Sequence, residues 1–178
     1  MTETQDLRYP IGRFHRPVSL TTEERTAAAA TLAETPARLR EAVAGLTPAQ
    51  LDTPYRPGGW TVRQLVHHVP DSHLNAYVRL KLALTEDEPT IRPYHEDRWA
   101  QLPEARSAPL EPSLALLESL HQRWDLALRD LAPADWQRTL VHPESGRQTV
   151  EQLIALYAWH GRHHTAHVAE LRRREGWI

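Results

Sequence analysis

From Thr149 to about Arg174 the apolar and polar positions follow a helical beat. Leu153, Tyr157, His160, His164, Val168 and Leu171 recur at spacings of three and four and predict one buried helix face. Thr149-x-x-Gln152 is a capping box that opens this helix, and Thr61-x-x-Gln64 opens a second one expected to reach about Leu84. Thr22, followed by Glu23 and Glu24, opens a helix through an Ala-rich stretch to about Leu46, with Pro36 as a kink or restart. Ser113 is read as the cap of a helix whose inner face is Leu117, Leu120, Trp124, Leu128 and Leu131. Residues 1–20 read as an extended arm. Residues 85–112 carry Pro89, Pro93, Pro103, Pro109 and Pro112, which predicts a long connection without regular structure between the second and third helices.

The two halves resemble each other. Arg38-Leu39, Ala42-Val43, Leu46, Pro48-Ala49 and Leu51 lie 85 positions before Arg123-Trp124, Ala127-Leu128, Leu131, Pro133-Ala134 and Trp136. After a loop three residues longer, Thr61-Val62-Arg63-Gln64-Leu65 meets Thr149-Val150-Glu151-Gln152-Leu153. Each half is a helix, a Pro-initiated turn, a loop and a capped helix. The expectation is an all-α four-helix bundle built from two pseudo-symmetric helix hairpins.

A chain of 178 residues suits one domain spanning residues 1–178, with a single well-filled core. Net charge is −2 without blocks of like charge, so neither nucleic acid nor an anionic membrane is suggested as a partner. The polar N-terminus and the lack of any long apolar run lead us to expect a soluble, cytoplasmic protein without signal peptide or membrane span. There is no cysteine, which excludes disulfides, Cys-ligated zinc and a cysteine nucleophile. If thiol chemistry happens here, the sulfur arrives with the substrate. Lys81 is the single lysine among the 21 Lys and Arg residues.

Histidine is the residue that changes the picture. Four of the 11 fall between Trp159 and His167. Two i,i+4 pairs, His160/His164 and His163/His167, could each hold a metal ion on one helix face. The apolar stripe contains His160 and His164, whereas His163 and His167 share a row with Glu170 and Arg174 that belongs at a boundary. Two satisfied core histidines would give the same pattern. A third ligand is available on the second capped helix from His67, His68 or His73. Periodicity favours His68, on a row with Leu65, Ser72 and Ala76, and leaves the other two open.

Further residues narrow the reading. Leu51-Asp-Thr-Pro-Tyr-Arg-Pro-Gly-Gly-Trp60-Thr-Val-Arg-Gln, His67-His68-Val-Pro-Asp71-Ser-His73-Leu-Asn75, the segment from Tyr77 through Lys81, and Pro89-Thr-Ile-Arg-Pro93-Tyr94 with Trp99 form one series. Together with Trp159-His160-x-x-His163-His164-x-Ala-His167, they resemble the YfiT branch of the DinB superfamily over nearly the whole chain. The resemblance implies a four-helix bundle, a homodimer, and one zinc or nickel ion on His68, His160 and His164. It also implies either a metal-dependent hydrolase or a transferase acting on a low-molecular-weight thiol such as bacillithiol, with an electrophilic co-substrate. Pro70 departs from the family pattern. It removes the N–H that would bond Val66, and is expected to kink the helix beside His68 and weaken metal binding.

Three neutral imidazoles leave a divalent ion with open positions, as in catalytic rather than structural sites. S-transfer is the preferred expectation, hydrolysis the alternative, and a non-catalytic metal-binding bundle the third. Carboxylates expected to orient the ligands are Asp71 first, then Glu96, Asp97 and Glu151. Lys81, Arg79 and Arg92 are the candidates for an anionic group of the substrate, and Lys81 alternatively for an acidic partner across a dimer interface.

Overall fold

Thr21, Thr47, Thr61 and Thr149 each start a helix as a reciprocal capping box, the hydroxyl taking the N–H three residues on and that residue's side chain returning to the threonine N–H. Each such cap is worth about 1 kcal/mol, and four of them pin where the helices begin. In this computed structural model, which describes residues 6–177, the long helices are α1 (Thr22–Val43), α3 (Val62–Thr85), α6 (Glu111–Arg129) and α7 (Val150–Glu175). Short helices α2 (Pro48–Leu51), α4 (Glu96–Trp99) and α5 (Pro103–Ser107) sit in the connections, and strands β1 (Thr139–His142) and β2 (Gly146–Thr149) pair antiparallel just before α7. No helix among the described residues is long and apolar enough to cross a membrane.

Several boundaries differ from expectation, each for a local reason. The first helix is capped by Thr21 rather than Thr22 and stops at Val43, because Gly45 takes a left-handed turn at φ 74°. It runs unbroken through Pro36, and α3 likewise continues through Pro70. Ser113 does not cap α6. Glu111 and Pro112 begin that helix earlier, and the Ser113 hydroxyl instead meets His67 Nδ1 at 2.7 Å. The Pro-rich connection holds α4 and α5, and its Ile91 is buried by bonding Val141 of the hairpin. Of the N-terminal arm, residues 1–5 lie outside the described residues. The remainder runs along α7, where Leu20 N–H and the Arg25 guanidinium of α1 both reach Glu151.

The pseudo-symmetry extends to individual hydrogen bonds. Thr47 N–H meets the Gln50 side chain as Ala132 N–H meets Asp135, and Val62 N–H meets the Thr53 carbonyl as Val150 N–H meets Arg138. The halves expected to be hairpins nevertheless interleave. The main packing is of α1 on α6 and α7, and of α3 on α6 and α7, so the two long helices of each half face each other across the bundle. This arrangement puts α3 of the first half directly beside α7 of the second. The core lies along that seam, with Leu65, Val66 and Ala76 of α3 against Leu153, Ile154 and Val168 of α7, while Leu117 and Trp124 of α6 close the other side.

Candidate metal centre

His68 on α3 and His160 and His164 on α7 come together at the seam, with one ring nitrogen of each lying within 4.8 Å of the others. The nitrogens that converge are all Nε2: His164 to His160 is 3.1 Å and His68 to His160 is 3.4 Å. Three facing Nε2 atoms cannot all pair with one another by hydrogen bonds, since each carries either one proton or one lone pair. Burial pushes the His68 pKa down to about 4, and desolvation with neighbouring imidazoles holds His160 and His164 well below the ordinary histidine range. All three rings are therefore neutral at pH 7 and carry lone pairs. Three convergent neutral nitrogens fit a borderline divalent ion such as zinc or nickel.

A line of hydrogen bonds behind His160 sets its orientation. The buried Leu32 carbonyl of α1 lies 2.7 Å from His121 Nδ1, and a carbonyl can only accept. His121 therefore carries its proton on Nδ1 and offers Nε2 to His73 Nδ1 at 2.9 Å. His73 in turn accepts with Nε2 from His160 Nδ1 at 3.1 Å. The direction propagates: with its proton on Nδ1, His160 presents a bare Nε2 to the other two histidines. Desolvation holds His73 well below the ordinary range and His121 at about 4, so the line consists of neutral rings. Sequence reasoning left His73 open and missed His121, although His121 lies on the same inner stripe as Leu117, Leu120 and Trp124.

The remaining candidates are placed elsewhere. His67 faces the start of α6 through Ser113 and the Ala108 carbonyl. His163 and His167, expected at a boundary, are both buried and lie 3.1 Å apart through Nε2. Loops cover that row rather than helices. Tyr9 of the N-terminal arm lies 6.1 Å from His163, and Tyr55 lies 4.2 Å from His167. Glu151 is fully buried but paired with Arg25 at 2.8 Å, which ties α1 to the start of α7 rather than orienting a ligand. The Asp71 carboxylate, pushed up to about 6 by burial and then by Glu104, makes no hydrogen bond to a histidine among the described residues. The group that holds His160 is His73, not a carboxylate. The helix carrying Pro70 still delivers His68 to the cluster.

The histidines line a cavity of about 500 Å³, within the range of small-molecule sites. Its walls include Trp60, Ser72, Tyr94, Tyr157 and Trp159, and Arg79 also lines it. Glu96, Asp97 and Glu144 stand exposed at its rim. Lys81 is exposed and does not line the cavity, and Arg92 borders a separate hollow with Asn75 and Trp99. Of the three cations expected near a substrate, the fold brings only Arg79 to the histidines' cavity.

A profile of the DinB superfamily matches residues 31–168, the stretch holding all three histidines. The chain belongs to the DinB superfamily. Its relatives include a protein of Bacillus mycoides (strain KBAB4) named "Putative metal-dependent hydrolase", 52% identical over 173 residues that cover 97% of this chain and 99% of the relative. A protein of the same name from Bacillus cereus (strain 03BB102) is also 52% identical, over 172 residues. The solved structure of YfiT from Bacillus subtilis, described as "a probable metal-dependent hydrolase with an unusual four-helix bundle topology", superposes with a TM-score of 0.94 at 48% identity, covering 97% of this chain and 99% of YfiT. The superfamily assignment and the interleaved bundle thus agree.

Proposed function

We propose that this DinB-superfamily chain is a metal-dependent enzyme in which His68, His160 and His164 hold one divalent ion, Zn2+ or Ni2+. Its reaction is S-transfer, with a low-molecular-weight thiol of the bacillithiol kind as nucleophile and an electrophilic co-substrate as acceptor. The observation that carries the metal-dependent reading is the convergence of three neutral Nε2 atoms on the wall of an open cavity. Bound there with open positions, a divalent ion lowers the pKa of a nucleophile beside it, water to about 7 or a thiol from its ordinary ~8.5.

The rest of the chemistry falls to the chain. Burial keeps the imidazoles neutral, His73 turns His160 so that its lone pair faces inward, and the aromatic walls thin the water around the reacting atoms. The thiol sulfur attacks an electrophilic carbon, the S–C bond forms, and the leaving group departs with its electron pair while the thiol proton passes to solvent. With no cysteine, the chain supplies no thiol of its own to compete with the substrate's. A thiol with a lowered pKa deprotonates near neutrality without a protein base. Water with its pKa lowered to about 7 deprotonates as readily, so the preference for S-transfer rests on the resemblance to thiol-dependent members of the family rather than on a residue of the site. The homodimer implied by the resemblance belongs to the same proposal and is read by light scattering.

Hydrolysis is the second reading, favoured by the names of the curated relatives. Cobalt-loaded protein separates the two. On addition of a small thiol we expect a new sulfur-to-metal charge-transfer band, together with faster consumption of an alkylating electrophile than by thiol alone. A band without faster conjugation, accompanied by hydrolysis of esters or amides that thiol inhibits, would transfer the assignment to the hydrolase reading.

A further inference from the structure

Arg79 is an anomaly in this fold. It is only 8% exposed, yet its guanidinium makes no hydrogen bond or ion pair among the described residues. None of its nitrogens is sealed away from solvent, so the charge faces the solvent of the cavity with no protein group committed to it, where an anionic group could take the place of water. The other buried cation of α3 shows the contrast: Arg63 is bonded to Asp52 at 2.7 Å and to the Ala108 carbonyl at 2.9 Å.

Arg79 opens on the cavity that holds the three histidines. It follows His68 by eleven residues, three turns along the same face of α3, or roughly 16 Å between backbone positions at 1.5 Å per residue. Helical side chains lean toward the N-terminus, so the guanidinium reaches back toward His68 and ends on the order of 10 Å from the histidine cluster. Its charge is felt by Tyr157, one turn from His160, and by His142. Both line the same cavity. The rim acids Glu96 and Glu144 remain exposed and unpaired with Arg79, so its five N–H donors are free for a planar anion.

We propose that Arg79 is an anion subsite that selects substrates bearing a carboxylate or phosphate roughly 10 Å from the atom that reacts at the histidines. This deepens the proposed function, since it rests on the reacting group being held at His68, His160 and His164. The neighbouring Lys81, which shares the segment but is exposed, takes no part in it.

A ladder of ω-mercapto acids with two to eight methylenes, each compared with the ω-mercapto alcohol of equal length, tests the subsite on zinc-loaded protein. The acid-over-alcohol ratio removes the contribution of chain length. We expect it to peak at an intermediate length at about tenfold or more, as one charge-assisted contact supplies, and to fall to near unity in Arg79→Gln with zinc stoichiometry unchanged. Phosphate-terminated thiols of the same lengths decide which anion is preferred. Arg79→Met should melt at or above the wild-type temperature, because no hydrogen bond or ion pair within the described residues is lost with the guanidinium. A lower melting temperature would make Arg79 a structural residue. No acid preference at any length, or a preference that survives Arg79→Gln, would overturn the subsite. If the protein binds no metal, the proposed function fails separately. Inorganic phosphate must then still raise the melting temperature of wild type but not of Arg79→Met, or the subsite fails too.

Discussion

One carbonyl decides what His160 can do. The Leu32 oxygen accepts from His121, and the obligation passes through His73 until His160 is left with a bare Nε2. His73 and His121 are in this account positioning residues, since neither is among the three converging histidines. Replacing His121 with Leu, of similar bulk, removes the acceptor of His73 and frees that ring to turn. We expect metal affinity, measured by chelator competition, to fall by about 10–100-fold, the usual cost of removing a group that orients a ligand. His121→Gln, which can donate to Leu32 and accept from His73, should recover much of it. Nitrogen-15 shifts should show His160 protonated on Nδ1 in wild type and a mixed population in His121→Leu. Affinity within twofold of wild type in the Leu variant, with its tautomer unchanged, would leave the histidine line no positioning role.

At the scale of elements, α1 and α7 come close at Gly161, which lies between His160 and His164. A Cβ built there would lie 2.5 Å from Thr35 Oγ1 and 2.6 Å from its Cγ2. Thr35 is 2% exposed and β-branched, so it has little room to turn away. Glycine-to-alanine inside a helix ordinarily stabilises by about 1 kcal/mol. Here the sign should invert: Gly161→Ala is expected to destabilise by roughly 1–3 kcal/mol, read by chemical denaturation, and to weaken metal binding as α7 shifts against α1. A stabilised variant would mean the contact is slack. The elements themselves were largely legible in the sequence, because a Thr-x-x-Gln box announces a start whatever surrounds it. The α6 start was not, since Ser113 looks like a cap until His67 is known to face it. The hairpin of β1 and β2 is too short to show periodicity. Its pairing partners, such as Leu140 with Gln148, lie beside the bond from Val150 N–H to the Arg138 carbonyl, a closure that no periodicity in the sequence announces.

For the whole molecule, the interleaving of the two halves is what assembles the site. Were each half a self-contained hairpin, His68 would face its own half rather than α7. Because α3 packs beside α7, one histidine from the first half meets two from the second, and the positions equivalent to these three, Leu156, Ser72 and Ala76, leave the other half without such a cluster. Helix periodicity could put His160 and His164 on one face, but it could not choose finally among His67, His68 and His73, a choice that depends on which neighbour each meets. Likewise His163 and His167 read as boundary residues because the loop around Tyr55 and the N-terminal arm, which cover them, leave no periodic trace. The most direct test of this account is metal content per chain after purification and dialysis against zinc or nickel. The account predicts one ion per chain in wild type and in His163→Ala, and none in His160→Ala that retains its helical circular dichroism. A full complement of metal in folded His160→Ala would contradict it.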